Sequence, residues 1–353
     1  MSSPWEYYLT PTLTLSLLLA CEAPPSLSSW LAGWALALAR PALLRGALEW
    51  ELEREGATGE VSAGTLRVVD YARWKALGGA EGQVPIPTSA SKNGYERLSS
   101  SSSDALPASE TTDEEGEEVE DLSRLIASLE GIPVPSPEHD LLLHSLALVN
   151  RTYALTATAV ARAATPFPKD GSADAQLREL WTLLRPEREW DGVKGREWQE
   201  IGFQNVSPAT DFRAVGMLGL DAFLYFARTY GDRAAEVVDE SVGGGEHWYP
   251  LALASIHMTA FVLNMARGRD LQLLLLRSPS SHASLDPLLA ISAALLHLFH
   301  THWLALAPRP SVMQFEAVAK DFQARVRPWA RRGVIDGRAL GWAVQGEGAV
   351  KLE

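Results

Sequence analysis

Prolines and capping residues cut this chain into apolar stretches with the period of a helix, and that pattern limits the fold more than any other feature. Leu122, Leu125, Ile126 and Leu129 follow i, i+3, i+4, i+7, which predicts an amphipathic helix ended by Pro133 and Pro135. Ser136 followed by Pro137 reads as an N-cap with proline at the first helical position, opening a long helix to about Ala164. Pro166 and Pro168 break the chain, and Ser172 opens a helix carrying Leu177, Leu180, Trp181, Leu183 and Leu184, stopped near Pro186. Asp286-Pro287 gives a cap and first-turn proline for a helix to about Leu306. Ser311 with Gln314 forms a capping box ahead of Phe315, Val318, Phe322, Val326 and Trp329, which face inward. Thr65–Leu77 fits a strand through T-L-R-V-V-D-Y, but Leu66, Val69, Trp74 and Leu77 share one helical face, and helix is the better fit. No repeat of fixed period is visible. The fold class expected is all-α, with many helices.

The N-terminal third is less regular. Ser29 caps a predicted helix from Trp30 to about Arg54, kinked at Pro41. Leu9–Cys21 has the length of a signal-peptide core, yet no basic residue precedes it and Glu6 is the only charge there. Trp30–Leu44 contains Arg40 and Pro41 and is too short and broken to span a bilayer. The N-terminal helices are therefore expected to pack on the rest of the chain, with peripheral membrane contact through their apolar faces left open. From Gly78 to Asp121 the composition shifts. Gly78-Gly79, Pro85, Pro87, serines from Ser99 to Ser103 and an acidic run from Glu110 to Asp121 predict a disordered insertion. Serines beside acids are phosphorylation candidates; a solvated tether is the plainer reading. The expected layout is 1–77 for the N-terminal helices, 78–121 for the insertion, 122–335 for a helical domain and 336–353 for a tail.

Charge and cysteine content narrow the function. The formal net charge of −13 at pH 7 argues against nucleic acid or an anionic membrane as an electrostatic partner. Cys21 is the only cysteine, so the chain has no internal disulfide and no cysteine-based zinc site, which fits a reducing, cytoplasmic setting with room for peripheral attachment to intracellular membranes. The sequons at Asn150 and Asn205 are then silent. His297, His300 and His302 stand close in sequence, but only His297 and His300 share a helical face, so no metal and no cofactor are expected. No phosphate-binding loop, G-x-S-x-G or H-E-x-x-H is present, so the chain by itself turns nothing over.

The most informative stretch is Trp198–Leu220, W-Q-E-I-G-F-Q-N-V-S-P-A-T-D-F-R-A-V-G-M-L-G-L. Its first half mixes Gly202, Gln204, Asn205 and Pro208 with Trp198, Ile201 and Phe203, which suits an ordered, partly buried loop. Thr210 or Asp211 reads as N-cap of a buried helix from about Phe212 to Arg228, with Val215, Leu218, Phe223 and Phe226 inward. Arg213 would then lie at the positive end of that helix, which is unfavourable. One account is a structural pair with Asp211 or Gln204. The other is an arginine presented on a rigid loop to a partner.

This stretch resembles the signature of the ELMO domain family, W-x-x-I-G-F-Q-x-x-x-P-x-T-D-x-R-G-x-G-x-x-x-L, and is most similar to its GTPase-activating members that act on Arf-like small GTPases. Trp198, Ile201, Gly202, Phe203, Gln204, Pro208, Thr210, Asp211, Arg213, Gly216 and Leu220 match in register, while Ala214 stands where the family has glycine. The segment from Trp248 resembles the family's next helix, with His257 in place of its usual asparagine. The resemblance covers about Ser172–Trp329.

The resemblance implies a GTPase-activating protein for a GTP-bound Arf-like or Arf-family small GTPase. Arg213 would be the arginine supplied in trans, Asp211 and Gln204 would orient it, and Trp198, Phe203 and Gly216 would shape the loop. The alternative it leaves open is a non-catalytic scaffold that binds a small GTPase or a Rac exchange factor and uses Arg213 structurally.

Overall fold

The computed structural model describes residues 42–54, 61–77, 112–242, 245, 247–277 and 284–336. Among these residues every regular element is helical. By internal packing the chain divides into two units, with the boundary between Ala154 and Leu155.

In the first unit, helices α1 (Ala42–Arg54), α2 (Ala63–Ala76) and α3 (Thr112–Glu130) accompany the first part of α4 (Pro137–Ala164). Polar side chains fix the joints. Glu51 is buried because its carboxylate accepts from Ser62 N at 2.8 Å and Thr65 Oγ1 at 2.8 Å, tying the start of α2 to α1. Ser62, not a residue within the predicted span, caps α2 by accepting from Thr65 N. Tyr153 on α4 donates to Asp70 at 2.9 Å, and Arg73 lies 4.1 Å over the Tyr153 ring while reaching Asn150.

Three expectations for this part need correction. Helix α3 begins at Thr112, so most of the acidic run expected to be disordered is helical; 78–111 lies outside the described residues, as do Trp30–Pro41 and 337–353. The buried face of α3 is Val119, Leu122, Ser123, Ile126 and Ala127, not the predicted stripe, since Leu125 and Leu129 are exposed. On that inward side Ser123 Oγ lies 3.2 Å from His139 Nε2 of α4, so its polar atom is satisfied in the interior. Leu77 is likewise exposed and not on the inner face of α2. The cap at Ser136 is as expected: its hydroxyl accepts from His139 N at 3.1 Å.

The second unit contains the end of α4 with α5 (Asp174–Leu184), a 3-10 turn at Arg196–Ile201, the short α6 (Pro208–Asp211), a 3-10 turn at Phe212–Ala214, α7 (Gly216–Tyr230), α8 (Asp232–Ser241), α9 (Leu251–Arg267), α10 (Gln272–Leu276), α11 (Asp286–Ala305) and α12 (Phe315–Ala330). Helices α7, α9 and α11 pack on one another at the centre and are apolar nearly all round, as a fully enclosed helix must be. Helix α11 has the length and hydropathy of a membrane span, but two-thirds of it (67%) is buried inside the protein. The capping box at Ser311 and Gln314 is present, followed by one 3-10 turn before α12. Ser172 and Asp286 do not cap; α5 starts at Asp174 and α11 at Asp286 itself.

The histidines belong to this core. His300 is fully buried, with Nδ1 2.9 Å from the Tyr249 hydroxyl and Nε2 2.6 Å from Glu240. Burial holds the Tyr249 hydroxyl protonated, so Tyr249 donates to Nδ1 and the proton on Nε2 is donated to Glu240. Burial also pushes His297 down to about 4, with Arg233 and His300 adding to the effect. Its unfolded value is near 6.5, so the unfolded chain takes up protons first as pH falls. Stability is therefore fully present above about pH 6.5 and lost as pH drops toward 4. Melting temperatures measured across this window should fall with pH, and His297→Gln should make the fall shallower; an identical slope would contradict the assignment.

Candidate functional site

The signature stretch is built on a run of aromatic rings. Trp198 is enclosed, meeting Trp181, Trp190 and Phe203 edge-on at 5.3, 5.6 and 5.5 Å between centroids. Phe203 continues the contact to Phe212 and Phe223, and Phe167 stacks on Phe212. The indole of Trp198 donates to Gly192 O at 3.2 Å, so its polar atom is satisfied inside the core. Edge-to-face rings of this kind hold their side chains in single orientations. Trp198, Ile201 and Phe203 are thus foundations of the loop rather than contact residues.

Two glycines fix the backbone where segments approach. Gly202 ends the first 3-10 turn at φ 90°, and a Cβ there would stand 2.3 Å from Leu251 N at the start of α9. Gly216 opens α7 at φ 51°, and a Cβ there would stand 2.3 Å from Ala163 O and 2.4 Å from Thr165 O. Neither position admits a side chain, for conformation and space both forbid it. At the second junction, Met217 N donates to Thr165 O at 3.0 Å, so a free donor at the head of α7 meets a free carbonyl at the end of α4. Beside it Arg162 grips Asp221 through Nε and Nη2, at 2.5 and 2.9 Å.

Asp211 closes the loop. One oxygen accepts from Gln204 N at 2.7 Å and Asn205 N at 3.2 Å, and the other accepts from the Asn205 side-chain amide. Gln199 Nε2 adds a bond to Gln204 O at 3.2 Å, and Gly195 N one to Val206 O at 2.9 Å. Pro208, buried, starts α6 where its missing N–H is no loss. Asn205 was marked in the sequence only as a polar loop residue and a sequon, and Gln199 not at all.

This arrangement corrects the expected helix start. Helix α7 begins at Gly216, not Phe212, and neither Thr210 nor Asp211 caps it. Arg213 lies in the separate 3-10 turn at Phe212–Ala214, outside the first turn of α7. The conflict with the macrodipole is correspondingly relieved. Nor do Asp211 and Gln204 orient Arg213, because the Asp211 carboxylate is engaged with loop donors and the Gln204 side chain is exposed. Arg213 is exposed, without an ion pair or hydrogen bond to any described residue. Its neighbour Phe212 is fully buried and anchors the turn. The result is an unpaired cation on a backbone fixed from both sides. Thr210 is exposed next to it, and Ala214 is half-buried against the core at an ordinary negative φ.

Residues 159–319 match the ELMO/CED-12 family model. The chain is 29% identical over 153 residues to ELMO domain-containing protein B of Dictyostelium discoideum, covering 43% of this chain and 52% of that protein. It is 29% identical over 160 residues to ELMO domain-containing protein 2 of Mus musculus, covering 44% and 54%. A shorter match, 37% over 99 residues, is to ELMO domain-containing protein A of Dictyostelium discoideum, covering 28% of this chain and 10% of that protein. The chain thus spans about half the length of the first two relatives. No solved structure matches it.

Proposed function

We infer from its membership of the ELMO/CED-12 family, whose domain occupies residues 159–319, that this chain accelerates GTP hydrolysis by an Arf-like or Arf-family small GTPase. The family works with small GTPases generally. The single observation that carries the finer reading is Arg213, exposed and without an ion pair or hydrogen bond to any described residue, on a turn whose backbone is fixed by Phe212, Asp211 and Gly216. Such GTPases hold their own phosphate loop, Mg²⁺ and a water-orienting glutamine; an arginine offered in trans neutralises charge developing on the γ-phosphoryl oxygens. A guanidinium already stripped of native partners has no bond to break before it engages phosphate. A rigid turn also limits the ordering entropy lost on binding. The experiment is single-turnover GTP hydrolysis by a panel of Arf-family GTPases with and without the chain; stimulation of at least one supports the reading, and stimulation of none sinks it.

Ala214 favours a second reading, a scaffold that binds a GTPase without activating it. It stands directly after Arg213, where the family signature has glycine. Ala214→Gly separates the two, because glycine lets partner backbone come closer. On the first reading the stimulated rate rises several-fold or stays equal. On the second, activity absent from the native chain appears only in the variant.

A further inference from the structure

The signature loop has two sides. On its inner side Trp198, Ile201, Phe203, Pro208 and Phe212 are buried. On its outer side Gln204, Val206, Thr210 and Arg213 are exposed. The side chains of Gln204, Thr210 and Arg213 make no hydrogen bond or ion pair with any described residue. Val206 differs from these neighbours in being apolar, yet it is 47% exposed.

A lone exposed valine is ordinary on a protein surface. Two features set Val206 apart. The first is that its backbone is held on both sides. Asn205, just before it, binds the Asp211 carboxylate through its main-chain N and its side-chain amide, and Val206 O accepts from Gly195 N at 2.9 Å. A β-branched side chain is also stiff at χ1, so the loop presents Val206 outward in few orientations. The second feature is the nearness of Arg213. Asp211 has helical φ and ψ and stands two residues before Arg213, so its bonds to Asn205 keep the Cα atoms of Val206 and Arg213 within about 18 Å of each other. One side of a standard protein interface covers about 800 Å², a patch about 30 Å across, so both residues fit beneath a single partner.

We propose that Val206 is an apolar docking contact for the GTP-bound small GTPase whose nucleotide Arg213 meets. This rests on the activating role inferred above and divides the labour within the loop: Val206 helps hold the partner, and Arg213 acts on its phosphate. A protein interface needs apolar contact that excludes water, surrounded by polar groups free to pair. Gln204 and Thr210 supply such groups without giving up a bond to any described residue. A valine already stiff and held by its backbone loses little conformational freedom when covered. Val206 has no group that can act on phosphate, so its contact is the same in the ground state and the transition state. It therefore sets the concentration at which the chain saturates and leaves the rate at saturation alone.

The test titrates the full chain against Arf-family GTPases in single-turnover hydrolysis, and measures its Kd for the same GTPases loaded with the non-hydrolysable analogue GppNHp. Val206→Glu places an unpaired charge in the contact, so the half-saturating concentration and the Kd should both rise about tenfold or more. The saturating rate should stay within about twofold and the melting temperature within about 2 °C of wild type. Val206→Ile, still apolar and β-branched, should bind like wild type. If Val206→Glu does not fold, Val206→Thr, similar in shape but polar, should weaken binding about threefold. Unchanged binding by a folded Val206→Glu would overturn the inference and leave the activating role standing. So would an equal loss in Val206→Ile, or a lower saturating rate at unchanged Kd. A wild-type chain that binds a GppNHp-loaded GTPase but stimulates none removes the activating role alone, and weaker binding by Val206→Glu would still support the docking contact. Binding to none of the GTPases overturns both.

Discussion

Arg213→Lys should lower stimulated GTP hydrolysis by about two orders of magnitude or more while the melting temperature stays within about 2 °C of wild type. The two halves of this expectation come from one observation. Arg213 makes no ion pair or hydrogen bond with any described residue, so lysine breaks none of the described contacts. Lysine keeps the charge but presents a point charge in place of a planar fork, and cannot bridge two phosphate oxygens in the transition state. Had the arginine been a buried structural ion pair, the pattern would be reversed, with a loss on the order of 3–5 kcal/mol in stability and an activity loss that merely follows unfolding. Parallel single-turnover and thermal-melt measurements on the same preparation separate the cases. Wild-type activity in Arg213→Lys would remove the arginine from the mechanism.

Gly216→Ala should destabilise the second unit by about 3 to 5 kcal/mol. A left-handed backbone disfavours alanine by about 1–2 kcal/mol on its own. The added carbon would also stand 2.3 Å from Ala163 O and 2.4 Å from Thr165 O, both backbone atoms that cannot rotate away. Relief requires moving the head of α7 off the end of α4, which gives up the Met217 N to Thr165 O bond. The turn carrying Arg213 immediately precedes this junction, so activity should fall with stability, in contrast to Arg213→Lys. Urea unfolding followed by fluorescence of the chain's tryptophans, Trp181, Trp190 and Trp198 among them, reads the change; a shift below about 1 kcal/mol would mean the junction relaxes freely.

Much of the helical architecture was legible because its signals are local. Ser136-Pro137 and Ser311 with Gln314 mark helix starts by their own chemistry, and both stand where expected. The face of α3 was only half legible: of the stripe Leu122, Leu125, Ile126 and Leu129, the first and third are buried and the other two exposed, because the inward face also takes Val119, Ser123 and Ala127, and what it packs on comes from elsewhere in the chain. Gly216 shows the same limit. Its place in the signature was visible, but the carbonyls that exclude a side chain come from Ala163 and Thr165, some fifty residues earlier. Thr210-Asp211 looked like a cap because an acid before an apolar run usually is one; here Asp211 turns back to the loop instead.

An Arg213 that stabilises the transition state of a partner's reaction must favour a mimic of that state over the ground state. A responsive GTPase loaded with GDP and aluminium fluoride resembles the γ-phosphoryl in transit. The wild-type chain should bind that form about a hundredfold or more tightly than the GDP form, and Arg213→Lys should lose most of the preference. Equal affinity of the wild-type chain for the two forms would rule out that role for Arg213.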